Sequence, residues 1–350
     1  MGKRKKSRAR QRKTLQYGVW GAASLVIVSG AATALLYAKL NGNIDSVDLD
    51  AQLGTDRPDS ADSGGLNILV LGSDSRSGDN EAYGRDEGSA RSDTAMIVHL
   101  HPGRDRASVV SIPRDTLVER PECPTPDGGT APARERQMFN TAYTVGGPAC
   151  AVKTVEAMSG IRMDHFVEVG FAGFKKLVDT LGGVPLTIEQ PIRDKDSHLD
   201  IRAGAHTLDG EQALALVRTR KGIGDGSDLG RIGLQQAFVK ALIARVEDVG
   251  LLTSPKKLYD LADTATGALT TDSSLASVKA LAGLARRLSG LGPADLQMVT
   301  LPVTEDAIDR NRVVPVDKDA RALWEALRAD EPLPDTVPPA GRPPATVTNG

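Results

Sequence analysis

The spacing of apolar positions divides the chain into unlike stretches. Residues 15–38 contain no charged residue and carry Leu25-Val26-Ile27-Val28 and Leu35-Leu36 among alanine and glycine. About 20 apolar residues suffice to cross a bilayer as a helix, so one N-terminal transmembrane helix is predicted here. Residues 39–65 are polar, rich in Asp, Gly and Ser, and read as a flexible linker. Residues 66–72 form a continuous apolar run ending in glycine, as expected of a strand buried on both faces. Further strands are predicted over 95–100, 107–112, 166–171, 184–188 and 296–303; Pro113 closes the second of these, because proline cannot continue a sheet interior. Helical spacing runs over 149–158, 173–181, 210–217, 229–247, 256–268, 274–288 and 318–328. In the second of these helices Phe174, Leu177, Val178 and Leu181 share a face ahead of the stop Gly182-Gly183, and Asp209 is the expected N-cap of the third. Strands alternating with helices predict an α/β fold over 66–330, a mixed central sheet flanked by helices. Residues 331–350 are dense in proline and read as a disordered tail.

Charge orients this arrangement. The net charge of -2 hides a basic tail, residues 1–14, in which Lys3, Arg4, Lys5, Lys6, Arg8, Arg10, Arg12 and Lys13 meet no acid. Positive flanks stay in the cytoplasm, which places everything after Lys39 outside, and Tyr17, Trp20 and Tyr37 suit the two interfaces. A cleaved signal peptide ending near Ala32-Thr33-Ala34 is the alternative, disfavoured because the apolar run exceeds a signal core of roughly 7–15 residues. No nucleic-acid partner is expected, since so short a tail cannot fold into a reader of DNA. The two cysteines, Cys123 and Cys150, fall in the exported part with no histidine at a metal-ligand spacing, and read as a disulfide or, failing that, as two unpaired thiols.

Candidate chemistry concentrates at strand ends and in one arginine-rich stretch. Arg218 and Arg220 point the same way if the chain between them is extended, and Arg231 and Gln235 follow one helical turn apart beyond Asp228. Guanidinium forks match phosphate oxygens, so their convergence would suit a dianion such as a pyrophosphate; a solvated salt-bridge loop is the plainer reading. Asp74 lies near Arg76, Arg91 near Asp93, and Arg114 beside Asp115, each pair at the end or start of a predicted strand. Carboxylates so placed suit a hard divalent cation, or else pair with the neighbouring arginines as scaffolding. His99 and His101 lie on one strand face with no third ligand evident, and they stay unassigned with His165, His198 and His206.

Taken together, N-I-L-V-L-G-S-D-S-R (67–76), R-S-D-T (91–94), S-I-P-R-D (111–115), N-x-A-Y-x-x-G-G (140–147), D-H-F-V-E-V-G-F-x-G-F (164–174), V-D-x-L-G-G-V (178–184), L-D-G-x-x-A-L (208–214) and R-T-R…D-L-G-R…Q-Q (218–236) resemble the LytR-CpsA-Psr family of cell-wall enzymes. The resemblance covers core motifs over 66–245. It implies an α-β-α sandwich and a membrane-anchored, extracytoplasmic phosphotransferase that moves a glycopolymer from a polyprenyl-pyrophosphate lipid onto peptidoglycan. The paired cysteines and proline-rich tail look like actinobacterial members. Carried over by position, Asp74 and Asp93 correspond to Mg²⁺ ligands, with Mn²⁺ as a substitute, and Arg76, Arg114, Arg218, Arg220 and Gln235 to pyrophosphate contacts. Asp93, Arg114, Asp115, Arg218, Arg220 and Arg231 make up the implied catalytic set, with Asp93 or Asp115 as base and Asp228 in support. The chain departs from the pattern at Met138, where the family usually has a phosphate-binding lysine; Arg134 or Arg136 would have to substitute. The lipid is expected in an apolar groove built from 166–181 and 229–246. Two other activities fit the same residues: a non-catalytic sensor of the lipid, and a hydrolase using water as acceptor.

Overall fold

A computed structural model describes residues 31, 33–60, 64–73, 92–103, 105–220, 228–250, 254–334 and 347–348. The chain forms two compact units that divide between Asn43 and Ile44. In the first, residues 33–42 are helical. The span expected over 15–38 falls mostly outside the described residues, and among those described no helix is long and apolar enough to cross a membrane.

The second unit is built on a seven-stranded sheet. Its strands in chain order are β1 (Asp45–Val47), β2 (Leu66–Ser73), β3 (Ser92–Leu100), β4 (Ala107–Ile112), β5 (His165–Gly170), β6 (Leu269–Asp272) and β7 (Leu296–Thr300). Across the sheet they lie β1-β6-β5-β2-β3-β4-β7, with β1/β6, β5/β2 and β4/β7 parallel and the other pairs antiparallel. The central strands are apolar at consecutive positions because both faces are covered. Leu69, Leu71, Ile97 and Val110 pack on one side against helix α1 (Phe139–Ser159) and the helix Asp317–Arg328. Ile68, Met96, Val109 and Met298 pack on the other, against Leu284 and Leu288 of the helix Val278–Leu288. The expected sandwich of helices around a mixed sheet is therefore present.

A second core sits beside the sheet. Here α2 (Phe171–Thr180), α3 (Gly210–Arg218) and α4 (Asp228–Asp248) bury Val178, Leu216, Leu234 and Phe238 with Leu186 and Ile188 of the strand Val184–Ile188.

Several elements differ from the sequence expectation. The stretch 39–65 is not merely a tether: β1 joins the sheet edge, and the helix Leu49–Leu53, capped by Asp48, buries Leu49 and Leu53 at an i, i+4 spacing. Helix α1 begins at Phe139 rather than 149, with a break where Gly146 and Gly147 take non-helical angles. The helix expected from 274 begins at Val278, where Ser277 caps it, and the strand expected over 296–303 ends at Thr300. At the C-terminus, Leu333 is buried in the main core and Val347–Thr348 pairs with Val184–Ile188, so the tail is not wholly without structure; residues 335–346 lie outside the described set.

Candidate active site

Three chain segments meet at the end of the sheet where β2 finishes and β3 starts. Ser73, the residue before Asp74, pairs with Ser92, the residue before Asp93, across an irregularity at Gly72. Ile112 pairs with Ala95, and Pro113 then turns the chain so that Arg114 comes back to Asp93. Helix α4 starts at the same place, with Asp228, Arg231 and Gln235 one and two turns apart on one face. Helix α3 ends there, delivering Arg218 and Arg220; its start is fixed by a capping box between Asp209 and Gln212, as expected.

Asp93 is the hub. Its Oδ1 lies 2.5 Å from Arg114 Nη1 and 3.8 Å from Arg220 Nη2, and its backbone carbonyl accepts from Arg231 Nη2 at 2.8 Å. Burial opposes its ionisation, but Arg114, Arg231 and Arg220 outweigh this and hold its carboxyl below the ordinary carboxylate range. Asp228 pairs with Arg231 at 2.6 Å and accepts from the Arg114 backbone N–H at 3.3 Å. Arg231 is only 3% exposed, and burial pulls its guanidinium below its usual pKa despite Asp228. Its Nε has no hydrogen-bond partner among the described residues, a costly state for a buried charged donor that an anionic ligand would relieve. Arg218 is exposed, stacks over the Phe171 ring at 4.7 Å, and has no acid partner among the described residues.

These arginines close one end of a cavity of about 670 Å³. Arg218, Arg220, Arg231, Asp93 and Gln235 line it, while Phe171, Phe174 and Leu177 from α2 and Phe238, Val239 and Leu242 from α4 form the long apolar wall. The groove expected from 166–181 and 229–246 is thus the cavity observed. An apolar trough ending in guanidinium groups fits a molecule with a long hydrocarbon part and a strongly anionic head.

Not every expected residue keeps its expected place. Gln235 lines the cavity, but its side-chain N–H₂ donates to Thr94 Oγ1 and to the Val217 carbonyl, both at 3.0 Å. These two bonds tie β3 to α3 and leave the side-chain oxygen as the group facing the cavity. Asp115 is outside the cavity lining and pairs with Arg114 and Arg312, each at 3.5 Å, which makes Asp93 the better placed carboxylate. Arg136 is committed to Asp306, 2.8 Å away, and neither it nor Arg134 reaches the cavity, so neither replaces the charge missing at Met138. Asp74 and Arg76 lie outside the described residues. Cys123 and Cys150 do form a disulfide, with Cα atoms 5.2 Å apart. Sequence reasoning missed Asp194, whose Oδ2 accepts from the Arg220 backbone N–H at 2.9 Å, and Asp196 and Ser197 beside it in the cavity wall. Nothing near residue 194 in the sequence marks it, because only the fold brings that strand end to the arginines.

Fold and site together define an α/β protein whose cavity joins an apolar wall to a cluster of arginines. The chain belongs to the LytR_cpsA_psr family, whose model matches residues 36–329. Among relatives, it is 36% identical to the "Probable cell wall biosynthesis protein LcpB" of Corynebacterium glutamicum over 217 residues, covering 60% of this chain and 49% of that one. To the "Cell wall biosynthesis protein LcpA" of the same organism it is 29% identical over 345 residues, covering 89% of this chain and 65% of that one. The chain thus spans about half to two thirds of the length of these two relatives. It is 32% identical to the "Polyisoprenyl-teichoic acid--peptidoglycan teichoic acid transferase TagT" of Bacillus subtilis over 268 residues, 73% of this chain and 78% of that one. The solved structure "TagT bound to LI-WTA" superposes with a TM-score of 0.57 at 25% identity, covering 80% of this chain and 95% of that one.

Proposed function

We propose that this protein is a membrane-anchored phosphotransferase that takes a glycopolymer from a polyprenyl-pyrophosphate carrier and attaches it to peptidoglycan outside the cell. The observation that carries the reading is the cavity itself: an apolar wall of about the character a polyprenyl chain needs, closed by Arg218, Arg220 and Arg231 where a diphosphate would lie. The transferase name of the TagT relative supports it. So does the uncharged stretch at 15–38 behind a basic tail, which would hold the site at the outer membrane surface.

In the proposed reaction an acceptor hydroxyl oxygen bonds to the phosphorus nearer the glycan. The bond from that phosphorus to the bridging oxygen breaks, and its electron pair leaves with polyprenyl phosphate. Arg220 and Arg231 neutralise charge on the transferring and leaving oxygens, and Arg218 extends that field towards the solvent. An aspartate takes the hydroxyl proton, Asp93 when it holds no cation and otherwise Asp115; the arginine pairs of Asp93 make it a weak base, which a loose phosphoryl-transfer transition state tolerates. The donor set also fits a hard cation. Asp93 is ionised and its second oxygen has no ion pair among the described residues, while Ser73, the residue before Asp74 in the sequence, pairs with Ser92, the residue before Asp93. Mg²⁺, or Mn²⁺ in its place, would be held by Asp74 and Asp93 together with substrate phosphates and would supply further charge neutralisation.

The test is product analysis with the full chain in detergent micelles, a polyprenyl-pyrophosphate oligosaccharide and peptidoglycan fragments. The proposal expects a glycan-phosphate-muropeptide adduct together with polyprenyl phosphate, and a loss of product on chelation of divalent cations. Release of glycan phosphate to water alone would make the protein a hydrolase. Tight binding without turnover would make it a sensor.

A further inference from the structure

The far end of β3 carries a second cluster, some six residues and about 20 Å along the strand from Asp93. His99 and His101 share a face there, their rings edge-on with centroids 4.6 Å apart. Asp330, 231 residues beyond His99, joins them just past the helix Asp317–Arg328. The ligand atoms of these three residues lie within 4.8 Å of one another, the one such group of His, Cys, Asp or Glu side chains among the described residues.

The cluster is built as metal sites are built. One nitrogen of each ring is held from behind: His99 Nδ1 by Asn67 Oδ1 at 2.8 Å and His101 Nε2 by Ser108 Oγ at 3.0 Å. Such partners fix the ring orientation and direct the other nitrogen inward. His99 Nε2 then faces Asp330 Oδ1 at 2.9 Å, and His101 Nδ1, which feels the Asp330 backbone, has no hydrogen-bond partner of good geometry among the described residues although His101 is 4% exposed. Asp330 takes a left-handed backbone with φ 55°, and its carbonyl accepts from Arg106 at 3.3 Å. Gly65 packs close against the cluster: a Cβ there would come 2.9 Å from Asp330 Oδ1, 3.3 Å from His99 Cε1 and 3.3 Å from the Leu100 carbonyl oxygen, so only glycine fits beside these ligands.

We propose that His99, His101 and Asp330 bind a divalent transition-metal ion of the Zn²⁺ class. The site fastens the end of β3 to the segment after the last long helix and is separate from the cation site at Asp93. Two imidazole nitrogens and one carboxylate suit Zn²⁺, whereas Mg²⁺ and Ca²⁺ take oxygen ligands. Bonds of about 2.0–2.1 Å set ligand atoms roughly 3.4 Å apart, so spacings that now lie within 4.8 Å need close by no more than about 1.4 Å on binding. A water molecule is the fourth ligand such a three-residue site requires.

The experiment uses the full chain, free of any affinity tag, stripped with a chelator in micelles and titrated with Zn²⁺ against a chromophoric competitor. Co²⁺ is the spectroscopic probe, because imidazole ligation at low coordination number gives strong visible bands that an all-oxygen octahedral site lacks. Wild type and Asp93→Asn should each bind one equivalent of Zn²⁺ with equal affinity. His101→Ala and Asp330→Asn should weaken binding about tenfold or more and abolish the Co²⁺ bands. If His101→Ala fails to fold, Asp330→Asn and the wild-type titration decide. Folded wild type that binds no Zn²⁺, or binding that Asp330→Asn leaves unchanged, overturns the proposal.

Discussion

Arg231 and Asp93 show what single residues contribute. Each sits where charge is expensive, and each is held in its charged form by its neighbours: Asp93 by Arg114, Arg231 and Arg220, Arg231 by Asp228 and the Asp93 carbonyl. The same logic operates away from the site at Asp272. Its carboxylate accepts from His165 Nδ1 and the Phe166 N–H at 3.2 Å and from the Ser274 N–H at 3.0 Å. Burial raises its pKa, but hydrogen bonds from His165 and Ser274 and the Phe166 amide bring it below the ordinary value. A depressed carboxylate stabilises the fold fully above its unfolded pKa of about 3.9 and loses that contribution as pH falls through its folded value. Asp272→Asn should therefore cost about 1–3 kcal/mol at neutral pH, with the gap to wild type narrowing in melts as the pH falls below the ordinary carboxylate value of about 3.9. A gap independent of pH would contradict this. At this scale the sequence was legible wherever short motifs carried the residues, as with Asp93, Arg114 and the three later arginines. That Gln235 also ties Thr94 to Val217 was not legible, because those partners come from other segments.

Elements place those residues, and α3 is the most exacting. Its N-terminus meets α2 so closely that a Cβ on Gly210 would lie 2.7 Å from Lys175 Cα and 2.8 Å from the Lys175 carbonyl carbon, backbone that cannot swing aside. The Gly210 N–H also donates to Asp179 Oδ1 at 2.7 Å, which locks the two helices together. Gly210→Ala should cost about 1–3 kcal/mol, seen as a lower denaturation midpoint at unchanged slope, and should reduce transfer because Arg218 and Arg220 ride on the far end of the helix. An unaltered midpoint would mean that the helices part without strain. Helix type and order were readable from apolar spacing and from the Asp209 cap. The ends that shifted did so for local reasons: Ser277 caps the helix Val278–Leu288, and two glycines interrupt α1. The strand β1 could not be read, since three residues carry no periodicity and its pairing with β6 spans more than 200 positions of chain.

At the scale of the whole molecule, a sheet covered on both faces leaves its ends as the places where polar groups can gather, and each end of β3 has been used. One end opens into the apolar cavity with its arginines. The other closes on His99, His101 and Asp330, a grouping hidden from sequence because its third member lies at the opposite end of the chain. The layers follow from alternating strands and helices, whereas the convergence of α2, α3 and α4 around a hollow follows from packing that no local pattern encodes.

The central claim is that one cavity holds both the hydrocarbon and the diphosphate of a single molecule. Equilibrium binding of polyprenyl pyrophosphate to the full chain in micelles tests it, with the matching polyprenol and inorganic pyrophosphate as competitors and Arg220→Ala and Leu242→Asp as variants. The account predicts that neither competitor alone displaces the intact lipid efficiently and that each variant weakens binding about tenfold or more. Equal binding by polyprenol, or wild-type affinity in Arg220→Ala, would contradict it.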